Sequence, residues 1–172
     1  MSETEKPKLA IRYAGSAKAS LMSQTAIDVL HEVCETAKVT EITISSIKRT
    51  VQDQARIMYK DIQTKGIAYP QRLYGKSGRA VADVYEEKTK QGLSEAEIRM
   101  AMILKMEELG PGTISHHIDD EGLGLCVFDI APKSVVPQKN KDDLASAIAV
   151  HKKVQKFLQP PRDVAFHLEI KS

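Results

Sequence analysis

The chain has 172 residues, of which 42% are hydrophobic and 28% charged, and its formal net charge is +2 at pH 7. This length is enough to bury a core without disulfides or a structural metal, and the composition is that of a globular protein. Because the charges are interspersed and nearly balanced, no nucleic-acid partner is expected. No stretch approaches the roughly 18 consecutive apolar residues of a membrane span, and the N-terminus has no apolar run of signal-peptide length.

The N-terminal third is predicted to be a loose arm followed by a helix, a strand and a second helix. Residues 1 to 15 are charged, which indicates the arm. Apolar residues at helical spacing follow Ser23, a residue type that caps helices, and "VTEITISS" then alternates as a half-buried strand does. The second helix, in "TVQDQARIMYKDIQTKG", ends at Gly66.

An inserted helical pair is predicted within residues 67 to 110. It opens with a connection that contains proline and glycine and continues with "SGRAVADVYEEKTKQG" and "SEAEIRMAMILKMEELG". The second helix begins with Ser94 and Glu97 in capping-box register and ends at Gly110. Its methionine-rich face is typical of helix packing. A lid or an immunity-protein surface is the alternative role of the insertion, and no residue pattern in it favours either.

The C-terminal part is predicted as strand, helix and strand. "LCVFDI" is an apolar strand, "NKDDLASAIAVHKKVQKFL" an amphipathic helix ended by Pro160 and Pro161, and "DVAFHLEI" a closing strand. This order predicts an α+β fold in one domain, residues 1 to 172, with helices packed on a small, mainly antiparallel sheet. Cys34 and Cys126 fall in apolar patterns and are expected to be buried thiols.

Three polar residues form a candidate metal site. Asp129 and His167 each stand between two apolar residues of a predicted strand, and His117 ends the polar run "SHH". Since an unpaired carboxylate is costly to bury, Asp129 is expected to have a cation partner. A metal held by these three side chains would keep one position open for water, as catalytic zinc does. The alternatives are that the histidines are hydrogen-bonded structural residues and that Asp129 caps the turn before Pro132.

Four short motifs resemble, in order, those of the zinc peptidases that cut D-Ala-D-Ala or L-Ala-D-Glu bonds in bacterial cell walls. "SSIKRTVQDQ" is similar to the Ser-Gly-Tyr-Arg-Ser-x-x-x-Gln signature, with Ser46, Arg49, Thr50 and Gln54 at the family's relative positions. "SHH" resembles its Ser-x-His, "FDIAP" the aspartate motif of the phage endolysin branch, and "FHLEI" the closing His-x-Glu-Leu.

The resemblance implies a hydrolase with the Hedgehog/D-Ala-D-Ala peptidase fold: a zinc metallopeptidase, of carboxypeptidase or endopeptidase type, that acts on peptidoglycan stem peptides. It implies that three residues bind the zinc, namely His117, Asp129 and His167. It implies that Arg49 stabilises the developing oxyanion, a role that suits a permanently charged, multidentate donor. It also implies contact with substrate for Ser46, Gln54 and Ser115. The alternatives are an Arg49–Asp53 ion pair and a solvated Gln54.

The sequence departs from the family at two places. His117 and Asp129 are twelve residues apart, farther than in the family, so an enlarged loop must separate them and His116 stays an alternative ligand. Val164 occupies the position of the family's general base. The candidates for the general base are then Asp163 and Glu169. A regular strand would place Asp163 on the same face as His167.

Two other functions therefore stay open: a non-catalytic metal-binding or structural module, and an α+β protein without metal. The N-terminus implies synthesis in the cytoplasm. Action on the cell wall or in the periplasm would then require export by a holin, as for phage endolysins, or by a secretion machine. A delivery or immunity partner is compatible with that route.

Overall fold

The computed structural model describes residues 8 to 118 and 122 to 171, and it divides into two compact units. The first unit combines the chain up to Lys48 with the chain from Gly124 onward, and the second is the continuous segment Arg49–Leu123. The fold is α+β, as predicted. None of the helices in the described ranges is both long enough and apolar enough to cross a membrane.

The strands and α-helices are numbered in chain order. The strands are β1 (Ala10–Tyr13), β2 (Glu41–Ser46), β3 (Leu125–Ile130), β4 (Val154–Leu158) and β5 (Phe166–Lys171). The helices are α1 (Gln24–Thr36), α2 (Val51–Lys65), α3 (Tyr69–Lys90), α4 (Glu95–Leu109) and α5 (Lys141–Ala149). Short 3-10 turns occur at Ala19–Leu21, Pro111–Thr113, Pro132–Ser134 and Gln138–Asn140.

The first unit is a five-stranded mixed sheet with the order β1-β2-β3-β5-β4. β1 is parallel to β2 and the other neighbours are antiparallel, so the sheet is mostly but not purely antiparallel. Helices α1 and α5 cover one face. Because strand side chains alternate, every second residue of β3 and β5 faces these helices and forms a buried apolar layer. This layer consists of Cys126, Phe128, Ile130, Phe166, Leu168 and Ile170.

The helix cap and the two cysteines of the first unit are as predicted. Ser23 accepts a hydrogen bond from the amide of Ala26 at 3.2 Å and caps the helix, as predicted. Cys34 and Cys126 are both buried and free of a disulfide, which confirms the prediction. Burial raises the pKa of Cys34 to about 12, so its thiolate is suppressed at neutral pH.

The second unit packs α2, α3 and α4 around a cluster of its own. The cluster includes Met58, Ile62, Val81, Ile98, Met102 and Met106. Thr50 caps α2, and Ser94 and Glu97 form the predicted capping box of α4. The methionine-rich face of α4 packs only in part, since Met100 and Leu104 are exposed.

Three stretches differ from the predictions. Part of the loose arm is the strand β1, whose Ala10 amide donates to the carbonyl of Thr40 at 2.9 Å, while residues 1 to 7 lie outside the described residues. The connection at 67 to 77 is mostly helical, because α3 begins at Tyr69. The helix predicted at 140 to 158 ends at Ala149, and its second half is β4.

Candidate metal centre

Asp129 and His167 are direct cross-strand partners in the middle of the sheet. The register of β3 and β5 pairs Asp129 with His167 and Val127 with Glu169. These four residues alternate with the apolar layer, so they lie on the opposite face of the sheet. All four are buried. This polar face of the first unit therefore carries two of the predicted ligands and one candidate base.

His167 is held between two carboxylates. Its Nδ1 lies 3.0 Å from Oδ1 of Asp129, and its Nε2 lies 3.1 Å from Oε1 of Glu169. Burial lowers the pKa of His167, but the hydrogen bonds to Asp129 and Glu169 and the charges of these two groups raise it more, to about 9. In the metal-free protein His167 is therefore an imidazolium at neutral pH and donates from both ring nitrogens.

Lys156 extends this arrangement to the surface. Its Nζ lies 3.2 Å from the same Glu169 oxygen, and its side chain is 47% exposed. Asp129, His167, Glu169 and Lys156 thus form a chain of alternating charge from the buried face to solvent. A buried carboxylate is tolerated when such partners surround it.

Bulges in β2 and β4, the strands that flank β3 and β5, place polar residues beside these charged groups. A one-residue shift in β2 brings Ser46 opposite Asp129. A second shift, in β4, brings Lys156 opposite Glu169. Without the extra residue in β4, Gln155 would oppose Glu169 and Lys156 would point into the apolar layer. Lys156 belongs to this site, and the sequence did not indicate it because the stretch was predicted as helix.

In the second unit, a backbone hydrogen bond joins Arg49 of the first motif to His117 of the second. The amide of Arg49 donates to the carbonyl of His117 at 2.9 Å. The Arg49 guanidinium Nη1 donates to Oε1 of Gln54 at 3.3 Å. Gln54 is completely buried, so the alternative of a solvated helix residue is wrong.

The three predicted ligands form a group that could hold a metal ion. His117, Asp129 and His167 are buried, each offers one ligand atom, and these atoms lie within 4.8 Å of one another. Around a tetrahedral zinc ion with bonds of about 2.0 to 2.1 Å, neighbouring ligand atoms are about 3.3 Å apart. Two imidazoles and one carboxylate suit zinc, and the group contains His117 rather than His116.

The other predicted site residues take different positions. Asp163 precedes β5, and its Oδ1 accepts a hydrogen bond from the amide of Ala165 at 3.0 Å. It therefore does not lie on the strand face of His167, where a regular strand would have placed it. Glu169 does share the face of His167. Ser115 is buried in a turn, where its carbonyl accepts from the amide of Ile118 at 3.0 Å.

No protein-family model, no curated protein and no solved structure matches the chain. Membership of the peptidase family therefore stays a prediction.

Proposed function

We propose that the protein is a zinc-dependent peptidase that hydrolyses the peptide stems of bacterial peptidoglycan. The observation that carries the proposal is the buried group of His117, Asp129 and His167, whose ligand atoms lie within 4.8 Å of one another. The four motifs similar to those of the cell-wall peptidases support the substrate class and the Hedgehog/D-Ala-D-Ala peptidase fold. Because buried ionisable groups cluster at functional sites more often than elsewhere, the polar face of the first unit supports an active site.

Three protein ligands leave the fourth position of a tetrahedral ion for water or substrate. When bound, zinc supplies Lewis-acid chemistry and lowers the pKa of a bound water to about 7. His167 would ligate through Nδ1, because this is the nitrogen 3.0 Å from the Asp129 carboxylate. To do so it must release the proton that Nδ1 carries in the metal-free protein.

Glu169 holds His167 in place rather than moving a proton of the substrate. Its Oε1 faces Nε2, on the far side of the ring from Asp129. A carboxylate in that position fixes the tautomer of the histidine and makes its other nitrogen a better ligand. Asp163 stays the other candidate base: it is half-buried and lies four residues before His167, although it precedes β5.

Arg49 supplies the positive charge for the oxyanion that develops on the scissile carbonyl. The amide of Arg49 donates to the carbonyl of His117, so the backbones of a candidate ligand and of the oxyanion donor are joined directly. A guanidinium that is positioned before the reaction stabilises developing charge without reorganisation. Ser46, opposite Asp129, and Ser115 keep their predicted role in contacting substrate.

The test is muropeptide mass spectrometry. Protein without a histidine tag is incubated with purified peptidoglycan and with a synthetic stem pentapeptide that ends in D-Ala-D-Ala, with and without a chelator. The proposal predicts new fragments that disappear with chelator and return with zinc, and the fragment masses identify the bond. An Asp129→Asn variant is the matched inactive control. Intact substrates after incubation with zinc-loaded protein would contradict the proposal.

A second candidate is a metal-binding module without catalysis. One observation favours it: Val164 stands where the peptidase family has its acid, and Val164 is exposed to solvent. Stoichiometric zinc binding together with intact peptidoglycan and intact pentapeptide would support this candidate over the peptidase.

A further inference from the structure

We propose that Lys156 is a positioning residue: its ammonium fixes the carboxylate of Glu169, and through that carboxylate it fixes the imidazole of His167. The inference deepens the proposed function, and it rests on that function only for the zinc ion that His167 would bind. The three residues all lie in the first unit.

One carboxylate oxygen joins Lys156 to His167. Oε1 of Glu169 lies 3.1 Å from Nε2 of His167 and 3.2 Å from Nζ of Lys156. A carboxylate oxygen has two lone pairs, so it can accept from both donors at once. The Glu169 side chain therefore cannot turn without breaking either its hydrogen bond to the ring or its ion pair with the ammonium, and contacts of this charged kind are the strong ones.

The irregular register of β4 brings Lys156 to this oxygen. Between the pair that Val154 makes and the pair of Lys156 with Glu169, β4 contributes one residue more than β5. Val154 and Phe157, on either side of Lys156, pack against the apolar layer. The ring of Phe157 also meets the ring of Phe166 edge-on, with 5.7 Å between their centroids. The backbone that carries Lys156 is thus anchored on both sides, and the ammonium is presented to Glu169 from a fixed strand.

This contact should matter more to His167 than the field of the Lys156 charge. The Lys156 side chain is 47% exposed, so water and salt screen its repulsion of a bound metal ion. Glu169 is buried, and removing one partner of a buried carboxylate leaves its charge poorly compensated, which favours other positions of the side chain. Such a movement breaks the contact with Nε2 and frees the ring, whose Nδ1 lies 3.0 Å from Asp129.

The first test is the zinc affinity of Lys156→Met, measured by competition with a chromophoric chelator. This variant keeps an unbranched side chain without the ammonium, and its affinity should fall about tenfold, as for other residues that hold a metal ligand in place. Lys156→Arg keeps a charged donor and should bind within about threefold of the wild type. Lys152→Met removes the same charge from an exposed position in the turn before β4, and it should match the wild type.

The sign of the change separates positioning from simple repulsion. If the Lys156 charge acted only through space, its removal would strengthen the binding of a cation. An affinity of Lys156→Met equal to or above that of the wild type would therefore overturn the inference.

The second test needs no metal. NMR of metal-free protein with ¹⁵N-labelled histidine follows the exchange of the Nε2 proton of His167 with water, and the His167→Gln variant assigns the signal. In Lys156→Met this exchange should be at least about threefold faster, because Glu169 covers the proton for less of the time. Lys156→Arg and Lys152→Met should exchange as slowly as the wild type.

The outcomes distinguish this inference from the proposed function. Unchanged exchange in Lys156→Met, or faster exchange that Lys156→Arg does not reverse, overturns the inference whatever the activity. Faster exchange that Lys156→Arg reverses, in a protein whose wild type neither binds zinc nor cleaves the pentapeptide, supports the positioning of His167 and overturns the peptidase.

Discussion

The two faces of the β3–β5 strand pair are equally buried but chemically opposite. One face is an apolar layer against α1 and α5. The other carries Asp129, His167 and Glu169, which are only 7%, 8% and 4% exposed. Burying ionisable groups costs free energy that mutual pairing offsets only in part, and an apolar face would be at least as stable. One strand pair therefore carries a stabilising apolar layer on one side and a candidate metal site on the other.

The largest expected effect is on the polar face. Asp129→Asn keeps the shape of the side chain but removes a charged ligand. The affinity for zinc should fall by at least about 100-fold, because losing a ligand should weaken binding more than losing a residue that only hydrogen-bonds to a ligand. Competition with a chromophoric chelator measures this affinity. Asp142→Asn, an exposed acid at the start of α5, is the control and should bind as the wild type does. An affinity of the Asp129 variant within threefold of the wild type would contradict the assignment of the metal site to the polar face.

On the apolar face, a substitution should lower the stability of the fold and leave the zinc affinity unchanged. Phe128 is completely buried, and Phe128→Ala should lower the free energy of unfolding by about 3 to 5 kcal/mol, because it removes buried area and leaves a cavity. Urea denaturation measures this change. The zinc affinity of the folded variant should stay within about threefold of the wild type. A large loss of affinity would show that the two faces are not independent.

The charged groups of the polar face should make the stability of the metal-free protein depend on pH. The pKa of His167 is raised from 6.5 to about 9 by its two carboxylate partners, after burial has acted in the opposite direction. A raised pKa stabilises the fold fully below about pH 6.5, and this contribution is lost as the pH rises through about 9. The free energy of unfolding should therefore fall by on the order of 2 to 3 kcal/mol over that window. Urea titrations at several pH values, compared with His167→Gln, should show a fall in the wild type alone.

The smallest expected effect concerns the bulge in β4. Deleting Gln155 makes the strand regular while Lys156 stays opposite Glu169 and Phe157 stays opposite Leu168. The free energy of unfolding should change by less than about 1 kcal/mol, because no buried group is removed. Chelator competition should give an unchanged zinc affinity. Loss of zinc binding would indicate that the strand register has shifted, and it would contradict the bulge as described.

Much of the fold could be predicted from local sequence signals. The strand at 125 to 130 was predicted with its observed bounds, because its apolar run is short and bounded by turn residues. The capping box of Ser94 and Glu97 fixed the start of α4. These signals act over a few neighbouring residues, so one sequence is enough to read them.

The missed elements depend on tertiary contacts. The bulge in β4 lets Val154 and Phe157, three residues apart, face the same apolar core, and this spacing imitates a helix. β1 is only four residues long and is defined by its pairing with β2. The approach of Asp129 to His167 depends on strand register, which local patterns do not contain. The candidate ligands were therefore predicted from their residue types and apolar neighbours, and the family resemblance strengthened that prediction.

The central claim is that His117, Asp129 and His167 bind one zinc ion. X-ray absorption at the zinc edge tests it most directly, on protein without a histidine tag and with one equivalent of zinc. The account predicts a shell of nitrogen and oxygen atoms at about 2.0 to 2.1 Å with the scattering of two imidazoles. Failure to retain zinc, or a sulfur shell at about 2.3 Å from the cysteines, would contradict it.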